Sequence, residues 1–287
     1  MGIGMVLVIF GLLATQFEGM IVKYYGEKYG KGGMLFNAII CLFAMIYFFV
    51  TDKNGLQFHN GVIIYGIINS TMYAVGFYAT YAALKVGSFG LTRLFTSFGV
   101  IISTFYGILF LGEPTTIMTY LAFSMILVSL FLMNYQKQEE KGQKITLKWV
   151  FYVLLIVISN AAIAIIGRMQ FGVFGNEYNN EFLIISFSGA SIYLLVMCLF
   201  FERDSVKTTV KYGLFYGAGA GILNGINNLL TLITYKYLPI SFTSPVKSGL
   251  GMAFSLLVSV LLYKERFSRR QLISAVIGVV AVVLMNF

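Results

Sequence analysis

The sequence predicts an all-α integral membrane protein with ten transmembrane helices arranged as two inverted five-helix repeats. Three observations lead there. The 287 residues are 59% hydrophobic and only 11% charged, whereas soluble domains average about 25% charged. The apolar residues fall in long runs with no period-2 alternation, so the spans are helices that satisfy their backbone internally, not strands of a barrel. Two distant stretches also match. Tyr81-Ala82-Ala83-Leu84 leads through Arg93 to Leu111-Gly112-Glu113 and an apolar run ending at Asn134. Tyr235-Lys236-Tyr237-Leu238 leads through Lys247 to Tyr263-Lys264-Glu265 and a run ending at Asn286.

A span needs about 20 mostly apolar residues. In order, the candidates are Gly4–Val22, Met34–Val50, Gly61–Ala83, Phe89–Leu111 and Thr115–Met133, then Trp149–Gly167, Phe182–Phe201, Tyr212–Thr234, Phe242–Leu262 and Gln271–Met285. The first begins almost at once and more follow, so it is expected to be a span and not a cleaved signal. The longest polar connection, Tyr135–Lys148, separates five spans from five. This divides the chain into a first repeat over residues 1–134, a central loop over 135–148 and a second repeat over 149–287. An odd number of spans per repeat inverts the second copy and puts a site near the bilayer midplane.

The net charge of +9 does not call for nucleic acid, because basic residues of membrane proteins gather in the loops on one side. The connections after the odd-numbered spans carry fifteen Lys and Arg and the others three. The bias puts the first set in the cytoplasm and both termini outside. Cys41 and Cys198 lie inside apolar runs and are expected to be small buried hydrophobes, with neither a disulfide nor a metal site.

The doubled motifs, Tyr81–Lys85 entering a span and Leu111-Gly112-Glu113 after it, with the weaker Tyr263-Lys264-Glu265 copy, resemble the drug/metabolite transporter superfamily, in particular its bacterial ten-span branch with two EamA-type repeats. The first span's ending at Lys23 is similar to the family's. Thr15-Gln16 stands where the family usually has Trp-Gly, and cytoplasmic termini are its usual arrangement. The resemblance implies a secondary transporter in the plasma membrane of a bacterium, working as a monomer or homodimer on a small-molecule substrate, with no cofactor.

Glu18 is the most informative single residue. A charge within a span is costly, so it faces a cavity or a partner; it is the candidate proton-coupling and amine-binding residue. The small multidrug resistance proteins of the same superfamily also place a functional Glu in the first span. The plainer alternative pairs Glu18 with a cation to lock two helices. Arg93 and Lys247 hold equivalent repeat positions, and two cations facing one cavity attract a carboxylate or phosphate. Basic residues in the fourth and ninth spans of the sugar-nucleotide and triose-phosphate branches do this. Snorkelling to headgroups is the alternative.

Asn69 and Tyr73 in the third span and Asn224 and Asn227 in the eighth complete the expected substrate site. Ser70, Thr71, Asn160 and Asn228 are further polar candidates, and Tyr73, Phe77 and Tyr81 share a helix face. Each could equally serve helix packing. Gly213, Gly217, Gly221 and Gly225 form a four-residue ladder that is expected to admit a neighbouring helix closely. Glu113 and Glu265 are expected to anchor the turns that close the fourth and ninth spans.

No nucleotide-binding loop appears, which leaves gradient-driven alternating access. An acid with two cations suits an amino-acid-like zwitterion. The alternatives are a cationic drug or amine exporter and a channel, although no filter-like loop is visible. An enzyme is not expected: the lone His59 lies in a polar loop, and no HExxH or acidic-pair motif occurs.

Overall fold

Apolar surroundings leave backbone N–H and C=O groups no partner but each other, and the chain is helical accordingly. The computed structural model describes residues 2–29, 33–52, 55–86, 92, 98–134, 146–263 and 269–284. Among these the principal helices are α1 (Gly2–Tyr29), α2 (Gly33–Thr51), α3 (Asn60–Val86), α4 (Gly99–Phe110), α5 (Ile117–Asn134), α6 (Leu147–Phe174), α7 (Asn179–Phe201), α8 (Leu214–Thr234), α9 (Ile240–Tyr263) and α10 (Arg269–Leu284). A short 3-10 turn and a π-helical turn over Thr209–Gly213 lead into α8. No strand occurs among the described residues. Five helices are long and apolar enough to cross a membrane, namely α1, α2, the Asn60–Ala83 part of α3, α6 and α7.

Several helices outrun their apolar cores. Helix α1 continues past Val22 through Lys28, and α6 past Gly167 through Arg168 to Phe174. Hydropathy marks where the apolar solvent ends; the hydrogen-bonded ladder runs on into the interface. Aromatic rings line that extension of α1: Tyr25 stacks on Phe36 at 4.0 Å and Tyr29 on Tyr212 at 4.6 Å, a placement typical of membrane interfaces.

The helices form two compact units, each drawing on both halves of the sequence: residues 1–78 with 166–237, and 79–165 with 238–287. In the first unit the glycine ladder packs against α2. A Cβ on Gly217 would stand 2.5 Å from Ile39 Cγ2, one on Gly221 2.5 Å from the Ile40 carbonyl, and one on Gly225 2.8 Å from the Tyr47 ring. The absent side chains are what permit this approach. On its other side α2 meets α7, where Ser191 Oγ donates to the Ala38 carbonyl (3.0 Å) and Phe48 packs on Phe187. Glu202, just after α7, accepts a hydrogen bond from the Met34 N–H in the first turn of α2. Both cysteines are buried and unpaired by disulfide.

In the second unit α5 and α10 are joined by a reciprocal pair: Ser129 Oγ donates to the Ser274 carbonyl (2.6 Å) and Ser274 Oγ to the Ser129 carbonyl (2.7 Å). Ala79 and Ala83 pack with Trp149, Val153 and Ile156. Gly112 has φ +60°, a conformation glycine adopts without strain. It turns the chain so that the Glu113 N–H reaches back to the Gly107 carbonyl (3.2 Å) and closes the end of α4. The Glu113 carboxylate then accepts from the Ile240 N–H (3.0 Å) and the Ser241 N–H (2.8 Å). It thereby caps the start of α9, where first-turn donors lack partners and the helix dipole favours an anion. Gly107 is needed too, because a Cβ there would collide with this carboxylate and with Ile240. Glu113 thus anchors its turn by holding a second helix. Glu265 lies outside the described residues.

Candidate functional site

Helices α1 and α8 run antiparallel in the first unit. Gly11 lies against Asn227 and Leu230, Glu18 against Asn224, and Tyr29 against Tyr212. A Cβ on Gly11 would stand 3.1 Å from Asn227 Oδ1, so this glycine lets the helices close. Gly11 and Glu18 are two turns apart and share a face, as do Asn224, Asn227 and Asn228. These spacings alone bring the acid of α1 to the amides of α8.

The result is a directed hydrogen-bond chain. Tyr73 Oη on α3 donates to Asn228 Oδ1 at 3.0 Å. Asn228 Nδ2 donates to the Asn224 carbonyl at 2.9 Å and to Asn224 Oδ1 at 3.0 Å. Asn224 Nδ2 donates to Glu18 Oε1 at 2.8 Å. Every hydrogen points towards the carboxylate, so each bond polarises the next. Tyr73 is held by Phe187, with ring centres 5.0 Å apart, and by Phe77. Among the described residues no lysine or arginine pairs with Glu18, and its second carboxylate oxygen takes no hydrogen bond. The alternative of a helix-locking ion pair at Glu18 therefore has no partner in the described structure.

Of the expected site residues, Glu18, Tyr73 and Asn224 come together in this chain, and Asn227 belongs to the same helix pair. Asn69 lies in the same unit but is buried, its Nδ2 donating to Ser186 Oγ at 3.0 Å. Ser70 and Thr71 return their hydroxyls to the Ile67 carbonyl and brace α3 itself. Lys247 sits half-buried on α9 in the second unit, just beyond Pro245. Asn160 and Tyr81 also belong to the second unit. Arg93 lies outside the described residues. Asn228, one of the further polar candidates, links the tyrosine to the acid; its spacing of four from Asn224 puts both amides on one helix face.

Residues 147–287 match the EamA-like transporter family. EamA-like proteins are membrane transporters of the drug/metabolite superfamily, not enzymes. A solved crystal structure superposes on the chain with a TM-score of 0.76 at 14% identity, covering 98% of both chains; at that identity it speaks for the fold alone. No curated protein sequence matches the chain. The EamA-like match and the apolar helices make this a transmembrane protein of transport type.

Proposed function

We propose that the protein is a secondary active transporter carrying a small, polar, amine-bearing solute by alternating access. Its ten spans form two inverted five-helix repeats, residues 1–134 and 149–287. The single observation that carries the reading is Glu18. It is oriented by Asn224 and has an unengaged oxygen and no cationic partner among the described residues. A solute ammonium supplies the missing charge-assisted bond. When the solute leaves, a proton takes its place on the carboxyl, which couples the two fluxes.

An amino-acid-like zwitterion remains the favoured solute. Arg93 and Lys247, at equivalent repeat positions, are the groups proposed for its carboxylate. A simple cationic amine is the second reading, favoured by the neutral chain behind Glu18, which runs through Asn224 and Asn228 to Tyr73 and the Phe77 and Phe187 rings packed on it. The loop charges further suggest that the termini face away from the cytoplasm of a bacterial cell.

Counterflow in liposomes tests the reading, with amines, zwitterions and organic anions as competitors. Competition by amines and zwitterions, saturation, and loss of coupled proton flux in Glu18→Gln are expected. Competition by anions alone, or unsaturable conductance, rejects it. Arg93→Gln and Lys247→Gln separate the two solute classes, because both should weaken zwitterion binding and leave a simple amine unaffected.

A further inference from the structure

Gln170 on α6 is fully buried, and neither Nε2 nor Oε1 of its amide has a hydrogen-bond partner among the described residues. Asn69 on α3 is 2% exposed. Its Nδ2 is used by Ser186, while its Oδ1 has no partner among the described residues. Buried polar groups are normally paired, and an unpaired one keeps its full desolvation cost. An apolar side chain of similar size would fill either place without that cost.

The two amides belong to the first unit and lie on neighbouring helices. Phe174 lies against Gly61, His59 and Tyr65 near the start of α3, while Ala79 and Ala83 near its end pack with Trp149 and Val153 of α6. The helices are therefore antiparallel. With Gly61 beside Phe174, Gln170 comes level with Tyr65, and Asn69 follows one turn on, ~5–6 Å along the axis.

We infer that Asn69 and Gln170 form a second, uncharged contact for the transported solute, one that takes a hydroxyl or carboxamide group. The inference rests on the transporter reading above and narrows its solute class. The chemistry of the orphaned atoms selects the ligand: two oxygens require a donor and one NH2 requires an acceptor. A sodium ion satisfies the oxygens and leaves the NH2 unpaired. A carboxylate satisfies the NH2 and faces the oxygens with like lone pairs. A hydroxyl or carboxamide both donates and accepts. An alternating-access cycle exposes to solute, in one state, groups that another state buries. The expected solute thus bears an amine for Glu18 and a neutral polar group for Asn69 and Gln170.

Paired probes test this on the purified full-length protein, ethanolamine against ethylamine and serine against alanine, each pair differing by one hydroxyl. Wild type should bind the hydroxylated member about tenfold more tightly, the scale of one net hydrogen bond. Gln170→Met should abolish that preference, leave ethylamine binding unchanged, and melt at or above the wild-type temperature, because an unpaired amide has been removed. Gln170→Leu repeats the test with a differently shaped side chain. Retention of the preference in both variants overturns the inference. So does a lowered melting temperature with the preference intact, the result expected if an internal water bridges the amides for structural reasons. If no amine binds wild type, the Glu18 reading itself fails and takes this inference with it. If amines bind but the paired probes bind wild type equally, only the Asn69–Gln170 contact falls.

Discussion

Two acids removed from bulk water, one in each unit, show what a carboxylate inside a membrane protein is for. Glu113 in the second unit accepts from two backbone N–H groups of α9. Its partners are fixed parts of a helix end, and its charge answers the dipole there. Glu18 in the first unit accepts from one side-chain amide, itself the end of a chain through Asn228 to Tyr73. Its partners are rotatable, and it keeps an oxygen in reserve. Glu113 is consumed by the fold, whereas Glu18 remains available to a ligand. The nature of the partner separates the acid consumed by the fold from the one proposed to meet solute more sharply than depth in the chain does.

Breaking this contrast should have its largest effect at Glu113. Glu113→Ala should destabilise the protein by about 3 kcal/mol, because two charge-assisted bonds are lost and the donors of α9 are stranded. Transport should fall only in proportion to folded protein, so melting temperature and flux per folded molecule must be measured together. A normal melting temperature would remove Glu113 from its structural role.

Glu18→Gln should behave in the opposite way. The amide keeps an oxygen for Asn224, so stability should change by less than ~1 kcal/mol. Solute affinity should fall at least tenfold, ~1.4 kcal/mol, with coupled proton flux lost. Retention of both transport and its pH dependence would make Glu18 a second structural acid and erase the comparison.

The smallest effect is expected at the far end of the chain. Tyr73→Phe removes one hydroxyl and keeps the ring packing on Phe187, at a cost of about 0.5–1.5 kcal/mol in solute binding if the relay orients Glu18. In Glu18→Gln the same substitution should cost less, because the amide has no charge to stabilise. Equal costs in both backgrounds would show that Tyr73 acts through packing alone, and a double-mutant cycle measures the difference.

Much of this was legible in the amino-acid sequence for one physical reason: lipid demands long apolar helices. Composition and run length therefore specified an all-helical membrane chain, and helical spacing specified which side chains share a face. That is why the ladder from Gly213 to Gly225 could be expected to pack closely and Glu18 to face a cavity or a partner. Tertiary structure decided the partners themselves. Whether Glu18 meets a cation or an asparagine depends on the antiparallel register of α1 with α8, which is set by contacts such as Gly11 against Asn227. Glu113 looked like a turn residue and proved to hold the start of a helix 127 positions away, and Gln170 carried no signal at all until its burial and unpaired amide were seen. Local sequence determines which groups a helix presents; only the packing of distant helices determines which of those groups are satisfied, and an unsatisfied group is what a ligand finds.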